Sequence, residues 1–104
     1  MNMSNRLKDR VQIQRRVETD TATGPTIVWT PIERRYASIV SLSAEAISRY
    51  QQIDLKVTHK IIFIGIVVLD IGTDRITHGA NTYRLMTPRK GDNHKNSIYL
   101  AKEV

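Results

Sequence analysis

Apolar residues recur at every second position in several short runs of this chain, and turn residues separate the runs. The clearest case is residues 55–64, where Leu55, Val57, His59, Ile61 and Phe63 share one face and Lys56, Thr58, Lys60 and Ile62 the other. A period of two is that of a β-strand with one side against a core. Residues 10–17 repeat the pattern, with Val11, Ile13 and Val17 on one side. Residues 19–25 are polar and end in Gly24-Pro25, the signature of a loop or turn. Residues 26–30 resume with β-branched and aromatic side chains. Pro31 has no amide hydrogen and is expected at a strand edge, a bulge or a break.

Residues 34–42 form another strand pattern with apolar groups on both faces, which predicts a central position. After it, Ser43 is placed to cap a short helix, with Glu45 in the first turn where a negative charge is favoured. The segment is short enough to read equally as a partly ordered loop. Residues 65–74 either extend the preceding strand or fold back as a hairpin through Gly72-Thr73-Asp74. Residues 75–78 and 82–86 read as two strands joined by the turn Gly79-Ala80-Asn81. Residues 88–96 read as a polar loop and residues 97–102 as a last strand. The whole predicts an all-β (mainly β) chain. The expected architecture is a small antiparallel β-barrel of six to seven strands, with one long inserted loop or short helix at residues 43–54. Its 104 residues fit a single domain, residues 1–104.

Composition narrows the chemistry. Cysteine is absent, which removes disulfides, thiol nucleophiles and cysteine-ligated zinc. No apolar run approaches the roughly 18 residues of a membrane span, and the first residues lack a signal-peptide core, so cytosolic synthesis is expected. The formal charge of +6 favours acidic partners, yet the basic residues are scattered as pairs such as Arg15-Arg16 and Arg34-Arg35. His59, His78 and His94 lack metal-ligand spacing, and His59 reads as a satisfied, half-buried histidine. Asp70 and Asp74 flank a glycine and read first as turn chemistry. No phosphate-cradling glycine motif occurs. No nucleophile–base set can be named, so no catalytic, cofactor or metal site is assigned and the chain is expected not to be an enzyme. Trp29, Tyr36, Tyr50, Phe63, Tyr83 and Tyr99 are spaced like core and sheet positions, not like a base-stacking platform. Arg89, Lys90 and Lys95, in the polar loop, are the candidate DNA- or partner-facing basic residues.

A collinear set of short motifs adds a resemblance. Arg10-Val11-Gln12-Ile13 is followed by Gly24 and Trp29, then by Tyr36-Ala37-Ser38-Ile39-Val40-Ser41-Leu42 and Ala44-Glu45. Val57-Thr58-His59-Lys60-Ile61, Arg75-Ile76 and Tyr83-Arg84-Leu85 complete the series. In this order the chain resembles the head–tail joining (head-closure, or stopper) proteins of long-tailed bacteriophages over almost its whole length. It departs from them where Tyr36 replaces a commoner Trp and where Phe63-Ile64-Gly65 replaces a commoner Arg-Tyr.

The resemblance implies a non-enzymatic virion protein, made in the bacterial host cytoplasm and sited in the virion neck. It implies a homo-oligomeric ring, dodecameric or hexameric, without a cofactor or a membrane. Portal or adaptor proteins would bind on the head side, tail-completion or tail-tube proteins on the tail side, with packaged DNA in the channel. By the same resemblance residues 43–54 point into that channel and help to retain DNA, with Ser43, Glu45, Arg49, Tyr50, Gln51, Gln52 and Asp54 as the gating residues. The alternatives are a single-stranded nucleic-acid-binding barrel or another neck or tail-completion protein.

Overall fold

The computed structural model describes residues 8–90 and 96–104. Among them, six strands and one helix follow in the order β1 Asp9–Thr21, β2 Gly24–Ser41, α1 Ala44–Gln52, β3 His59–Ile64, β4 Asp74–His78, β5 Asn81–Leu85 and β6 Asn96–Glu103. All pairings are antiparallel. Neighbours run β1-β2-β3-β6-β5-β4, and β4 returns to β1, closing the sheet into a barrel. The expected mainly β architecture is therefore the one observed, with six strands.

Alternation decides what fills the interior. Val11 and Ile13 of β1, Ile61 and Phe63 of β3, Ile76 of β4, Leu85 of β5 and Tyr99 of β6 are all nearly or fully buried. The residues between them face outward. A cylinder this small has room only for side chains. Each fully buried aliphatic or aromatic group contributes about 1.5–3 kcal/mol. Phe63 and Tyr99 meet edge to face, with ring centres 6.2 Å apart.

Several local expectations need correction. The two runs at 26–30 and 34–42 are one strand, β2. Ile13 faces Glu33 while Gln14 faces Pro31, so Ile32 is an extra residue and the proline sits at a β-bulge. The loop expected at 19–25 is only the two-residue turn Ala22-Thr23, because Thr21 already pairs with Gly24. Residues 55–58 lie outside β3, although Val57 is buried. Residues 65–73 neither extend β3 nor pair as a hairpin with it. Of the six aromatics only Tyr50, on α1, is at neither a core nor a sheet position; Trp29 and Tyr36 are sheet residues outside the core, Tyr36 59% exposed.

The hairpin of β1 and β2 outgrows the barrel. β4 pairs with β1 only from Gln12 to Arg15, and β3 pairs with β2 only from Ser38 to Ser41. Beyond Arg15 the two strands form a free arm that lengthens the molecule to 53 × 33 × 26 Å. The Arg16 amide donates to the Thr73 carbonyl (2.7 Å), so its peptide faces away from β2. Trp29, opposite Arg16, is then a non-hydrogen-bonded partner, and the alternation puts Pro25, Ile27 and Pro31 in the same class. Two of those four positions on the free edge of β2 are prolines and offer no donor.

Candidate functional site

The two ends of the barrel are built differently. At one end β2 stops at Ser41 and β3 starts at His59, directly paired with it. Residues 42–58 bulge out between them. Ser43 caps α1: its hydroxyl accepts from the Ala46 amide at 3.1 Å. Glu45 lies in the first turn and Arg49 in the last, both favourable against the helix dipole. The helix ends as the amides of Ile53, Asp54 and Leu55 fold back onto the Tyr50 and Gln51 carbonyls, with Asp54 in the left-handed region at φ 60°. Asparagine and aspartate tolerate that conformation better than most residues.

No residue of α1 is buried. Ala46, Ile47 and Tyr50 are half-buried; Glu45, Arg49, Gln51, Gln52 and Asp54 are exposed. The structure thus gathers Ser43, Glu45, Arg49, Tyr50, Gln51, Gln52 and Asp54 on one exposed helical segment at one rim. That segment is tied down where it returns to the barrel. The Thr58 hydroxyl accepts from the Glu103 amide (2.8 Å) and bonds His59 Nδ1 (2.8 Å), while His59 Nε2 meets the Ser41 hydroxyl (3.3 Å). Either neutral tautomer of His59 satisfies both ring nitrogens, one hydroxyl donating to the ring and the other accepting from it. His59 also packs edge-on against Tyr83, with ring centres 5.1 Å apart. The Thr-His pair of the Val57-Thr58-His59-Lys60-Ile61 motif is therefore a clasp.

At the other end, residues 65–73 must travel from β3 to β4, which lie on opposite sides of the barrel. They cross its mouth and bury Val67 and Leu69 in it. Two side chains of β6 hold the crossing backbone. The Tyr99 hydroxyl accepts from the Leu69 amide (2.9 Å) and donates to the Val67 carbonyl. The Ser97 hydroxyl accepts from the Val67 amide (2.9 Å) and from Arg89 Nε (2.7 Å), and donates to the Gly65 carbonyl (2.7 Å). Burial pushes the Tyr99 phenol above its ordinary pKa, and the Tyr83 phenol likewise.

The crossing ends at Asp74. Its buried carboxylate takes Arg15 Nε (2.9 Å) and the Asp70 amide (2.9 Å). Burial alone would raise the Asp74 pKa. The Arg15 guanidinium, the Asp70 amide and the Thr73 hydroxyl outweigh it and hold the carboxyl below its ordinary value. Asp70 accepts from the Gly72 amide (2.8 Å), the turn chemistry expected of it.

The basic residues named from sequence do not join α1. Arg89 is half-buried and directs its guanidinium to Ser97 and to the Asn96 carbonyl. Lys90 is exposed and bridges Ile98 through its backbone. Ser97 pairs with Phe63, four residues along β3 from the α1 rim at His59, a separation of about 13 Å. Lys95 lies outside the described residues.

Sequence reasoning missed a second feature, a cleft of about 330 Å³ at the base of the arm, walled by Arg16, Trp29, Ile71, Asp74, Arg75, Arg84 and Val104. The Arg75 guanidinium lies 4.0 Å from the centre of the Trp29 ring, so it occupies one face of that aromatic. The register predicts this grouping only once β1, β4 and β5 are known to be neighbours. Among the described residues no cluster of three or more potential metal ligands occurs, and no helix is long and apolar enough to cross a membrane.

A family model described as phage head completion protein matches residues 3–104. The solution structure of protein SF1141 from Shigella flexneri 2a aligns over 99% of this chain and 96% of its own, with a TM-score of 0.77 and 21% identity. At that identity the likeness is one of fold. No curated protein matches the chain.

Proposed function

We propose a ring-shaped seal at the head–tail junction as the working form of this chain, which belongs to the phage head completion protein family. Membership gives the protein a structural role in phage head closure, a place in the virion and contacts with other phage head or tail proteins. The ring, its portal-side and tail-side partners, closure of the DNA channel and the absence of catalysis are our reading. Residues 43–54 face the channel in it, and one domain carries the rest.

One observation supports the reading most. A capped helix with no buried residue hangs at the rim of a closed barrel, between two strands that are already paired at Ser41 and His59. Such a segment can change position without disturbing the core, and small local openings of this kind cost little free energy. Arg49 gives the segment a cation, and Tyr50, Gln51 and Gln52 give it polar reach.

The test is to replace residues 43–54 by a short Gly-Ser turn. Ser41 and His59 are adjacent, so the barrel should fold with its unfolding midpoint little changed. Heads completed with this variant should release their DNA to added nuclease. Heads that protect their DNA as the wild type does would overturn the gating role.

A further inference from the structure

The chain is basic overall, but its projecting arm is not. Residues 17–28 carry two acids, Glu18 and Asp20, and no lysine or arginine. Among the described residues neither acid has an ion-pair partner; the pairs present are Arg15–Asp74, Arg35–Glu33 and His78–Asp9. The cleft at the arm's base is richer in cations. Arg16, Arg75 and Arg84 converge there beside a single aspartate, Asp74, which is already paired with Arg15; none of the three arginines forms an ion pair among the described residues.

The arm is also apolar on both sides. Val17 pairs with Val28 on one, at 42% and 48% exposure, and Ile27 at 49% lies on the other. A two-stranded ribbon alone is marginally stable in water, so uncovered valine and isoleucine on it invite a partner. The cleft supplies both halves of the match: Trp29 and Ile71 for the apolar side chains, arginines for the acids.

We infer that the arm of one copy docks into the arginine cleft of the next. The inference rests on the ring reading and names the surfaces that would build such a ring. The contact is heterologous, arm tip to arm base, and repeats around an axis until it closes. The acidic tip is the wrong sign for phosphate, which points to a protein partner for the arm rather than DNA.

Within one copy the arm tip cannot reach its own Thr82. Six residues of strand separate Arg15 from Thr21, about 20 Å, before the width of the barrel is added. A disulfide needs Cα atoms within about 7 Å, so a bond between these sites reports on two copies. The natural chain has no cysteine to interfere.

The experiment mixes Ala22→Cys protein with Thr82→Cys protein under mild oxidation and resolves the products without reductant. The mixed dimer should dominate both homodimers. Glu18→Lys/Asp20→Lys in the arm copy should cut its yield about tenfold, and so should Arg75→Glu/Arg84→Glu in the cleft copy. Mixing the two reversed copies should restore it, which a folding defect cannot mimic. Ile64→Cys, on the outer face of β3, is the control.

Equal linking of Ala22→Cys to Ile64→Cys would overturn this contact but leave association of copies standing. No mixed dimer above random collision would overturn it too, while the DNA-retention test on heads would still judge the ring reading by itself. An oligonucleotide shift abolished by Arg75→Glu/Arg84→Glu and untouched by the arm variants would reassign the cleft to nucleic acid.

Discussion

β3 is entered and left by two connections that behave oppositely. Residues 42–58 join β2 to β3, which are neighbours, so the chain has no need to cross the barrel and swings outward as a capped helix. Residues 65–73 join β3 to β4, which face each other across it, so the chain must cross the mouth and fill it. One connection depends on its own capping; the other is bolted to the core by Val67, Leu69, Tyr99 and Ser97. Strand order, more than local propensity, decides which loop is free to move.

The contrast can be broken most forcefully at the crossing. Leu69→Ala should cost about 2–5 kcal/mol in urea unfolding, because it opens a cavity in the plugged end. A cost below about 0.5 kcal/mol would mean that the crossing is not part of the core. Tyr99→Phe should cost less, about 1–3 kcal/mol, by leaving the buried Leu69 amide without its acceptor.

Asp74 gives the crossing an acid-sensitive anchor. Its folded pKa lies below the unfolded value, so the stability it contributes is complete above the ordinary carboxylate range, about pH 4. That stability disappears as pH falls through the lowered folded value. Asp74→Asn should flatten this part of the stability profile, and an unchanged acid limb would count against the anchor. Tyr99 and Tyr83 act at the other extreme. Their pKa values are raised on folding, so their contribution holds below about pH 10 and is lost as pH climbs through the folded values.

The smallest global effect belongs to the helix. Ser43→Ala removes a cap worth about 1 kcal/mol to α1, which should speed amide exchange there roughly fivefold. The global midpoint should barely move. A large drop would mean that α1 is coupled to the barrel after all, and the gating reading would lose its physical basis.

Much of this was legible beforehand. Val11 and Ile13 face the core, Ser43 caps a helix, Pro31 marks a bulge and the turn expected at 79–81 is there as Gly79-Ala80, with Asn81 already in β5. What alternation cannot reveal is where a barrel ends. Val17 continues the buried parity of Val11 and Ile13, yet it is exposed, because β4 stops pairing at Arg15. Residues 66–69 alternate like a strand as well, with Val67 and Leu69 inward and Ile66 and Val68 outward. Their backbone bonds go to the side chains of Ser97 and Tyr99, a pairing that no period detects. The candidate site was half legible for the same reason. Contiguous residues 43–54 could be read as a unit, whereas Arg16, Trp29, Arg75 and Arg84 converge only through strand neighbours distant in sequence.

The two prolines on the free edge of β2, one in the arm and one at its base, carry a last implication. A protein that works in many copies at close quarters runs the hazard that bare strands stack sideways into fibres. With Pro25 and Pro31 in place, only Ile27 and Trp29 remain on that edge to offer an amide hydrogen. Along that edge, recognition between copies then falls more to side chains, which can tell one surface from another, than to the main chain, which greets every strand alike.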